Sequence, residues 1–142
     1  MALDQYLKNF ETALYRLKES YNRAQEGKRE DDYYFFRDSA IQRFEFTVEI
    51  FWKTIKVFLK VFLKEREGVD CRTPKACIRG FFSAGHINEE DTILLLEMID
   101  DRNLTSHTYK EEIAEAIFSR LYRYIEKLNK LIFNLKGNDV GK

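Results

Sequence analysis

The chain has 142 residues, of which 44% are hydrophobic and 34% charged, and 24 basic side chains balance 24 acidic ones. Balanced charge argues against bulk electrostatic attraction to nucleic acid or to an anionic membrane, so any phosphate site has to be built locally. The length fits one domain, residues 1–142, and a single proline with six glycines leaves little to interrupt long helices.

The N-terminal segment and the cysteines bear on compartment and metal content. MALDQYLKNF carries charge where a signal peptide has an apolar stretch, and no window approaches a membrane span. Cys71 and Cys77 are six residues apart, without a C-x-x-C pair and with only two His in the chain. We therefore expect reduced thiols, no metal and no cofactor, in a cytoplasmic protein.

Helical spacing of apolar residues begins near the N-terminus. The first predicted helix is Leu3–Gln25, and Gly27 is expected to end it in the left-handed conformation. The second, Asp32–Glu67, would be roughly 50 Å long and is expected to end at Gly68.

The second helix carries two apolar stripes. The first consists of Ile41, Phe44, Val48, Phe51, Trp52, Ile55, Leu59 and Phe62. The second consists of Phe46, Ile50, Val57 and Val61. A surface helix needs only one stripe, so two indicate burial on two sides. We expect the first stripe, Trp52 included, to face the core and the second to face another subunit of a homodimer.

Capping signals mark the third and fourth helices. Thr73 caps the third, Pro74 occupies its first turn and Gly85 closes it. Asn88 caps the fourth, with Asp91 three residues on in the manner of a capping box.

The fourth helix is expected to fade at Arg102 and Asn103. Thr108 and Glu111 then predict a second capping box, which starts a fifth helix that ends near Gly137. The predicted fold is all-α, an antiparallel (up-down) bundle of about five helices.

A polar break, DDRNLTSHTY at residues 101–110, separates the last two helices. On one ideal helix Arg102 and His107 would diverge by about 140°, but a turn between them lets both reach one pocket. Arg offers a planar fork for phosphate oxygens, and His exchanges protons near neutral pH. The pair suits RNA cleavage without metal, in which a base takes the 2′-hydroxyl proton and an acid protonates the leaving 5′-oxygen.

The same residues also have a purely structural interpretation, because an R-x4-H spacing arises by chance in a chain with many Arg residues. Arg102 then binds the carbonyls of its own helix end or pairs with Asp100 or Asp101. His107 is then simply solvated. Catalysis would need a second copy of the chain, since each copy brings one His to this break.

With these features in hand, the sequence resembles the HEPN superfamily, and more closely its branch of nucleotidyltransferase substrate-binding proteins. The resemblance spans most of the chain and is carried by IQRFEFTVEIFWKTIKVFL at residues 41–59, AGHI at residues 84–87 and DDRNLTSHTY. The superfamily pattern is R-x4–6-H, usually with a polar residue after the Arg, here Asn103. Many members of the branch carry an aromatic residue on the preceding helix, where this chain has TILLLEM.

The resemblance implies a homodimer with a composite site at the interface. Active HEPN proteins are metal-independent ribonucleases, many of them toxins, and the branch is usually encoded beside a minimal nucleotidyltransferase (MNT). In some pairs the MNT is the antitoxin and attaches AMP to the Tyr two residues after the motif His, here Tyr109. The older family name instead casts the protein as the substrate- or nucleotide-binding subunit of the transferase.

Carried onto this chain, the resemblance makes Arg102, His107 and Asn103 the candidate catalytic residues. Asn103 either orients the site or serves as the left-handed end of its helix. Tyr109 is either the acceptor of AMP or a residue that packs against the dimer partner.

The charged side of the second helix has two interpretations as well. Glu45 and Glu49 could do acid–base work, or Glu49 could form a surface ion pair with Lys53. A basic strip either is a solvated face that complements the helix dipole or binds an RNA backbone. This strip consists of Lys53, Lys56, Lys60 and Lys64.

Two functions follow. The first is a toxin that cuts RNA through paired Arg102 and His107 and is silenced by its MNT partner. The alternative is a non-catalytic subunit that binds a nucleotide or acceptor for the transferase, and a third possibility is a scaffold with a vestigial motif.

Overall fold

The computed structural model describes the backbone at residues 2–27, 29–63 and 71–140, and the side chains there except at 62–63 and 138–140. Within these ranges the chain is all-α, as predicted. The α-helices are α1 Leu3–Glu26, α2 Glu30–Leu63, α3 Pro74–Ser83, α4 Glu89–Leu104 and α5 Glu111–Val140. One 3-10 turn, Thr105–His107, joins α4 to the segment before α5.

Helix α2 is the centre of the bundle, because it contacts every other helix. Two threonines of α2, Thr47 and Thr54, fix the antiparallel packing of α1 on α2. Their hydroxyls donate to backbone carbonyls of α1 as well as of their own helix. Helices α4 and α5 are also antiparallel, with ion pairs from Glu97 to Arg123 and from Asp91 to Lys127. The up-down arrangement of neighbouring helices follows from these pairings.

The first apolar stripe of α2 faces the core in the part whose side chains the structure describes, as expected, and its last predicted member, Phe62, lies outside that part. Phe44, Phe51 and Ile55 are fully buried, and the Phe44 ring stacks on Tyr124 of α5 with 5.7 Å between ring centroids. Trp52 is the exception, since it is only half-buried at the edge of the core. Its indole N–H donates to Glu49, which draws the ring toward the charged side of the helix.

The second stripe of α2 is open to solvent in the single chain. Phe46 is 59% and Val61 49% exposed, while Ile50 and Val57 are half-buried. Exposed apolar side chains in one row along a central helix are typical of a surface that another molecule covers.

The predicted caps of α3 and α4 are confirmed. Thr73 accepts from the Ala76 N–H at 3.1 Å, and Asn88 accepts from the Asp91 N–H at 2.8 Å. Gly85 follows α3 with φ of 86°, a left-handed conformation that glycine adopts without steric cost.

The prediction for Gly27 was wrong, because its φ is −56°. The backbone around Gly27 is closely packed instead. A Cβ would lie 3.2 Å from the Ala24 carbonyl oxygen and 3.3 Å from the Tyr33 backbone. The chain thus reverses between α1 and α2 through close backbone approach, and the predicted end of α2 at Gly68 lies outside the described residues.

The expectation of two reduced cysteines was also wrong. The sulfurs of Cys71 and Cys77 are joined in a disulfide, with their Cα atoms 4.1 Å apart. The cause is the chain reversal at the Thr73 cap, which places residue 71 beside the first turns of α3.

In the described part of the chain, no helix has the length and hydropathy needed to cross a lipid bilayer.

We expect Phe44→Ala to lower the free energy of unfolding by about 3–5 kcal/mol, because it removes a fully buried ring and leaves a cavity. Urea unfolding followed by circular dichroism measures this loss. Phe133→Ala is the matched control, since that ring is 77% exposed and its removal should change the free energy by less than about 0.5 kcal/mol. Equal losses for the two variants would contradict the placement of Phe44 in the core.

Candidate functional site

The polar break is a tight turn rather than a loop. Helix α4 continues through Leu104, and the Thr105 hydroxyl donates to the Arg102 carbonyl at 2.6 Å. The Thr108 hydroxyl donates to the Thr105 carbonyl at 3.1 Å, and the Lys110 N–H to the His107 carbonyl at 3.1 Å. Hydroxyl groups therefore satisfy the carbonyls that the end of a helix leaves open.

This geometry corrects two predictions. Thr108 does not cap α5, because its backbone is helical (φ −73°, ψ −3°) whereas a capping residue is extended, and its hydroxyl points back to Thr105. Asn103 lies inside α4 and is exposed, so it is not the left-handed end of that helix.

Asp101 fixes the end of α4 to α5. Its carboxylate is buried, accepts two hydrogen bonds of 2.7 Å from the Arg120 guanidinium and accepts another from the Tyr124 hydroxyl. Burial and this hydrogen bond to Asp101 raise the pKa of Tyr124. Since Arg102 follows directly in the chain, this cluster determines where its backbone lies.

Arg102 is held more loosely. An ion-pair contact joins one of its guanidinium nitrogens to Glu49 Oε2 at 3.9 Å, and both side chains are partly exposed, at 35% and 42%. The predicted alternative, a pair with Asp100 or Asp101, was wrong. Asp100 binds Lys75 at 2.6 Å, and Asp101 is taken by Arg120.

Glu49 connects Arg102 to the charged side of α2. The same carboxylate binds Lys53 Nζ at 3.3 Å and accepts the Trp52 indole N–H at 3.3 Å. The ion pair with Lys53 is therefore present. Lys56 Nζ lies 5.8 Å from the Trp52 ring, Lys60 is exposed, and the predicted fourth residue of the basic strip, Lys64, lies outside the described residues.

His107 and Tyr109 are both exposed, with their ring centroids 6.2 Å apart. Tyr109 is 78% exposed, and Lys110 Nζ lies 5.9 Å from its ring. Tyr109 also lines an open cavity of about 760 Å³ between the turn and α2, together with Phe35, Gln42 and Glu45. The turn thus presents an imidazole and a phenol to solvent beside a cavity.

A second ionic cluster holds the beginning of α5. The buried Arg37 guanidinium binds Glu111, and Glu115 at 2.8 Å, and the Tyr33 hydroxyl donates to Glu115. The hydrogen bond from Arg37 lowers the pKa of Glu111. The sequence analysis predicted neither the Asp101 cluster nor the Arg37 cluster. The signal for the Arg37 cluster was a cationic residue close to the acidic start of α2.

The other histidine of the chain, His86, is half-buried against the core. Its ring lies 5.0 Å from those of Phe81 and Phe58, and burial lowers its pKa. It packs after the end of α3 against two core rings, which leaves His107 as the histidine of the turn.

The chain was then compared with known proteins. A family model described as nucleotidyltransferase substrate binding protein like matches residues 5–137. A Thermus thermophilus protein of known crystal structure is 40% identical with a TM-score of 0.73, over 89% of this chain and 98% of that one. HI0074 from Haemophilus influenzae, described as showing the fold of a substrate binding domain of a nucleotidyltransferase, is 24% identical with a TM-score of 0.76, over 92% and 98%. A search of curated proteins found no match.

We expect Asp101→Ala to lower the free energy of unfolding by about 3 kcal/mol, because it leaves Arg120 and the buried Tyr124 hydroxyl without their acceptor. Asp100→Ala removes the same group one residue earlier, from a 61% exposed ion pair, and should cost no more than about 1 kcal/mol. Chemical denaturation of the two variants side by side measures the difference. Equal losses would rule out Asp101 as the anchor of α4.

Proposed function

The chain belongs to the nucleotidyltransferase substrate binding protein family, and from that membership we propose that it is a metal-independent endoribonuclease of a toxin–antitoxin pair. In this proposal a cognate minimal nucleotidyltransferase neutralises it. The observation that carries the proposal is the turn after α4, which exposes His107 and, among the residues that the structure describes, gives Arg102 a single long ion-pair contact.

Arg102 would bind the scissile phosphate. Its 3.9 Å contact with Glu49 is longer than a hydrogen bond, so a phosphate offering two oxygens to the guanidinium can displace it. Asn103, exposed one residue later, would orient the RNA. The extra negative charge on the pentacovalent phosphorus is then compensated by the guanidinium.

His107 would transfer the protons. One imidazole takes the 2′-hydroxyl proton as the oxygen attacks phosphorus, and a second imidazole protonates the leaving 5′-oxygen, which yields a 2′,3′-cyclic phosphate. Because the turn of each chain carries one His, the acid and the base come from two copies. A homodimer provides them, and the exposed second stripe of α2, including Phe46 and Val61, supports such an interface.

Control by the partner would act at Tyr109. The phenol is 78% exposed next to His107, so its oxygen is accessible for attack on the α-phosphate of ATP with release of pyrophosphate. AMP attached there would add bulk and negative charge beside His107. Lys53, Lys56 and Lys60, all exposed on α2, would bind the RNA backbone.

We expect His107→Ala to remain folded, since the side chain is exposed, and to cleave RNA at least about 100-fold more slowly. Ser106→Ala, an exposed neighbour in the same turn, is the matched control and should keep full activity. Gel analysis of total RNA incubated with each protein, with EDTA present, measures the rates. Full activity of His107→Ala would overturn the ribonuclease proposal.

A second candidate function is supported by the matched family description and by the cavity beside Tyr109. In it, the protein cuts nothing and binds a nucleotide for the transferase. Calorimetry with ATP should then detect binding at micromolar to millimolar concentration, and Arg43→Ala should weaken it about tenfold or more, because Arg43 lines this cavity and offers a guanidinium to the phosphates. No heat of binding, together with RNA cleavage by the wild type, would exclude this candidate.

A further inference from the structure

We infer that Cys71 and Cys77 form a reversible disulfide, closed by a small-molecule disulfide such as oxidised glutathione, whose state is transmitted to Trp52, which shares Glu49 with Arg102. This inference concerns a modification site outside the proposed catalytic residues. It does not depend on whether the protein cleaves RNA.

The first support is the position of the two sulfurs. Cys71 is half-buried, two residues before the Thr73 cap, whereas Cys77 is fully buried as the fourth residue of α3. The cap folds the chain back so that the two residues are bonded across only five intervening residues. The loop that the bond closes is confined to residues 71–77, and the half-buried position of Cys71 gives an external reagent access.

The exchange balances in two steps. The Cys71 thiolate attacks one sulfur of oxidised glutathione, which forms a mixed disulfide and releases one glutathione thiolate. The Cys77 thiolate then attacks the Cys71 sulfur, closes the protein disulfide and releases the second glutathione. The two cysteines lose two electrons, glutathione disulfide gains them, and the two cysteine protons pass to solvent and the departing thiolates.

The second support is the contact between this pair and the proposed site. Cys77 Sγ lies 3.7 Å from the backbone carbonyl oxygen of Trp52, a group to which the reduced thiol can donate. The Trp52 indole binds Glu49, and Glu49 binds Arg102. The oxidation state of the cysteines thus changes a contact at the residue that holds the partner of Arg102.

A second connection runs through the start of α3. Lys75, between the two cysteines, forms a 2.6 Å ion pair with Asp100, two residues before Arg102. Anchoring the first turns of α3 by the disulfide therefore also fixes the position of Lys75 against the end of α4.

The chain contains a single tryptophan, so its fluorescence reports this region alone. We expect reduction of the wild-type protein by dithiothreitol to expose two alkylatable thiols, to change the intensity of Trp52 emission and to lower Tm by roughly 5 °C. Oxidised glutathione should reverse all three changes. Intact-mass spectrometry after alkylation, fluorescence and thermal unfolding measure them on the same samples.

Cys71→Ser is the matched variant, since it removes one sulfur at the half-buried position and leaves the Cys77–Trp52 contact. Its fluorescence and Tm should match those of the reduced wild type and should not respond to dithiothreitol. Two thiols that stay alkylatable in excess oxidised glutathione, or a disulfide that joins two chains, would overturn the inference. An internal disulfide that leaves Trp52 emission as in Cys71→Ser would overturn its transmission to the site.

Discussion

The position of the turn depends on one buried carboxylate. Asp101 is 4% exposed and accepts from Arg120 and Tyr124, so the last turn of α4 cannot move relative to α5 without exposing or orphaning charged groups. Breaking a buried pair from one side costs several kcal/mol, far more than a surface pair contributes. This constraint is what allows the residues that follow, from Arg102 onward, to be polar and exposed while keeping a defined backbone.

Arg37 has the complementary role on the far side of the turn. It is 3% exposed and gathers the carboxylates of Glu111 and Glu115 at the start of α5, where negative charge also matches the helix dipole. The segment that carries His107 and Tyr109 is therefore tied at both ends, by Asp101 before it and by Arg37 after it. The hydroxyl side chains of the segment form hydrogen bonds within the turn, such as Thr108 to Thr105. The imidazole and the phenol are exposed and do not pack in the core.

The sequence predicted well the helices and caps, which depend on residues that are close together in the chain. Apolar periodicity and caps such as Thr73 and Asn88 act within a few residues, and the five helices and these caps were found as expected. The partners of the ionic clusters are 19 and 74 residues apart, and a chain with 24 cations and 24 anions offers too many pairings to choose among. The prediction for Thr108 failed because its hydroxyl donates to the Thr105 carbonyl instead of capping α5. The prediction for Gly27 failed because its φ is negative, and what distinguishes the position is the close approach of the neighbouring backbone.

The contrast between Asp101 and Glu49 bears on how a chain with no net charge can bind an anion. Two carboxylates lie near Arg102, but Asp101 is fully engaged by Arg120 and Tyr124, whereas Glu49 shares its oxygens among Arg102, Lys53 and Trp52. Arg102 therefore does not pair with Asp101, the strongly bound carboxylate, and instead makes a long contact with the partly exposed Glu49. In the proposed function, a phosphate would compete only with a contact worth about 1 kcal/mol or less, and on displacing it would gain a guanidinium and the neighbouring ammonium of Lys53 together. Under that proposal the local distribution of carboxylates, rather than an excess of cations, is what would let this surface bind phosphate.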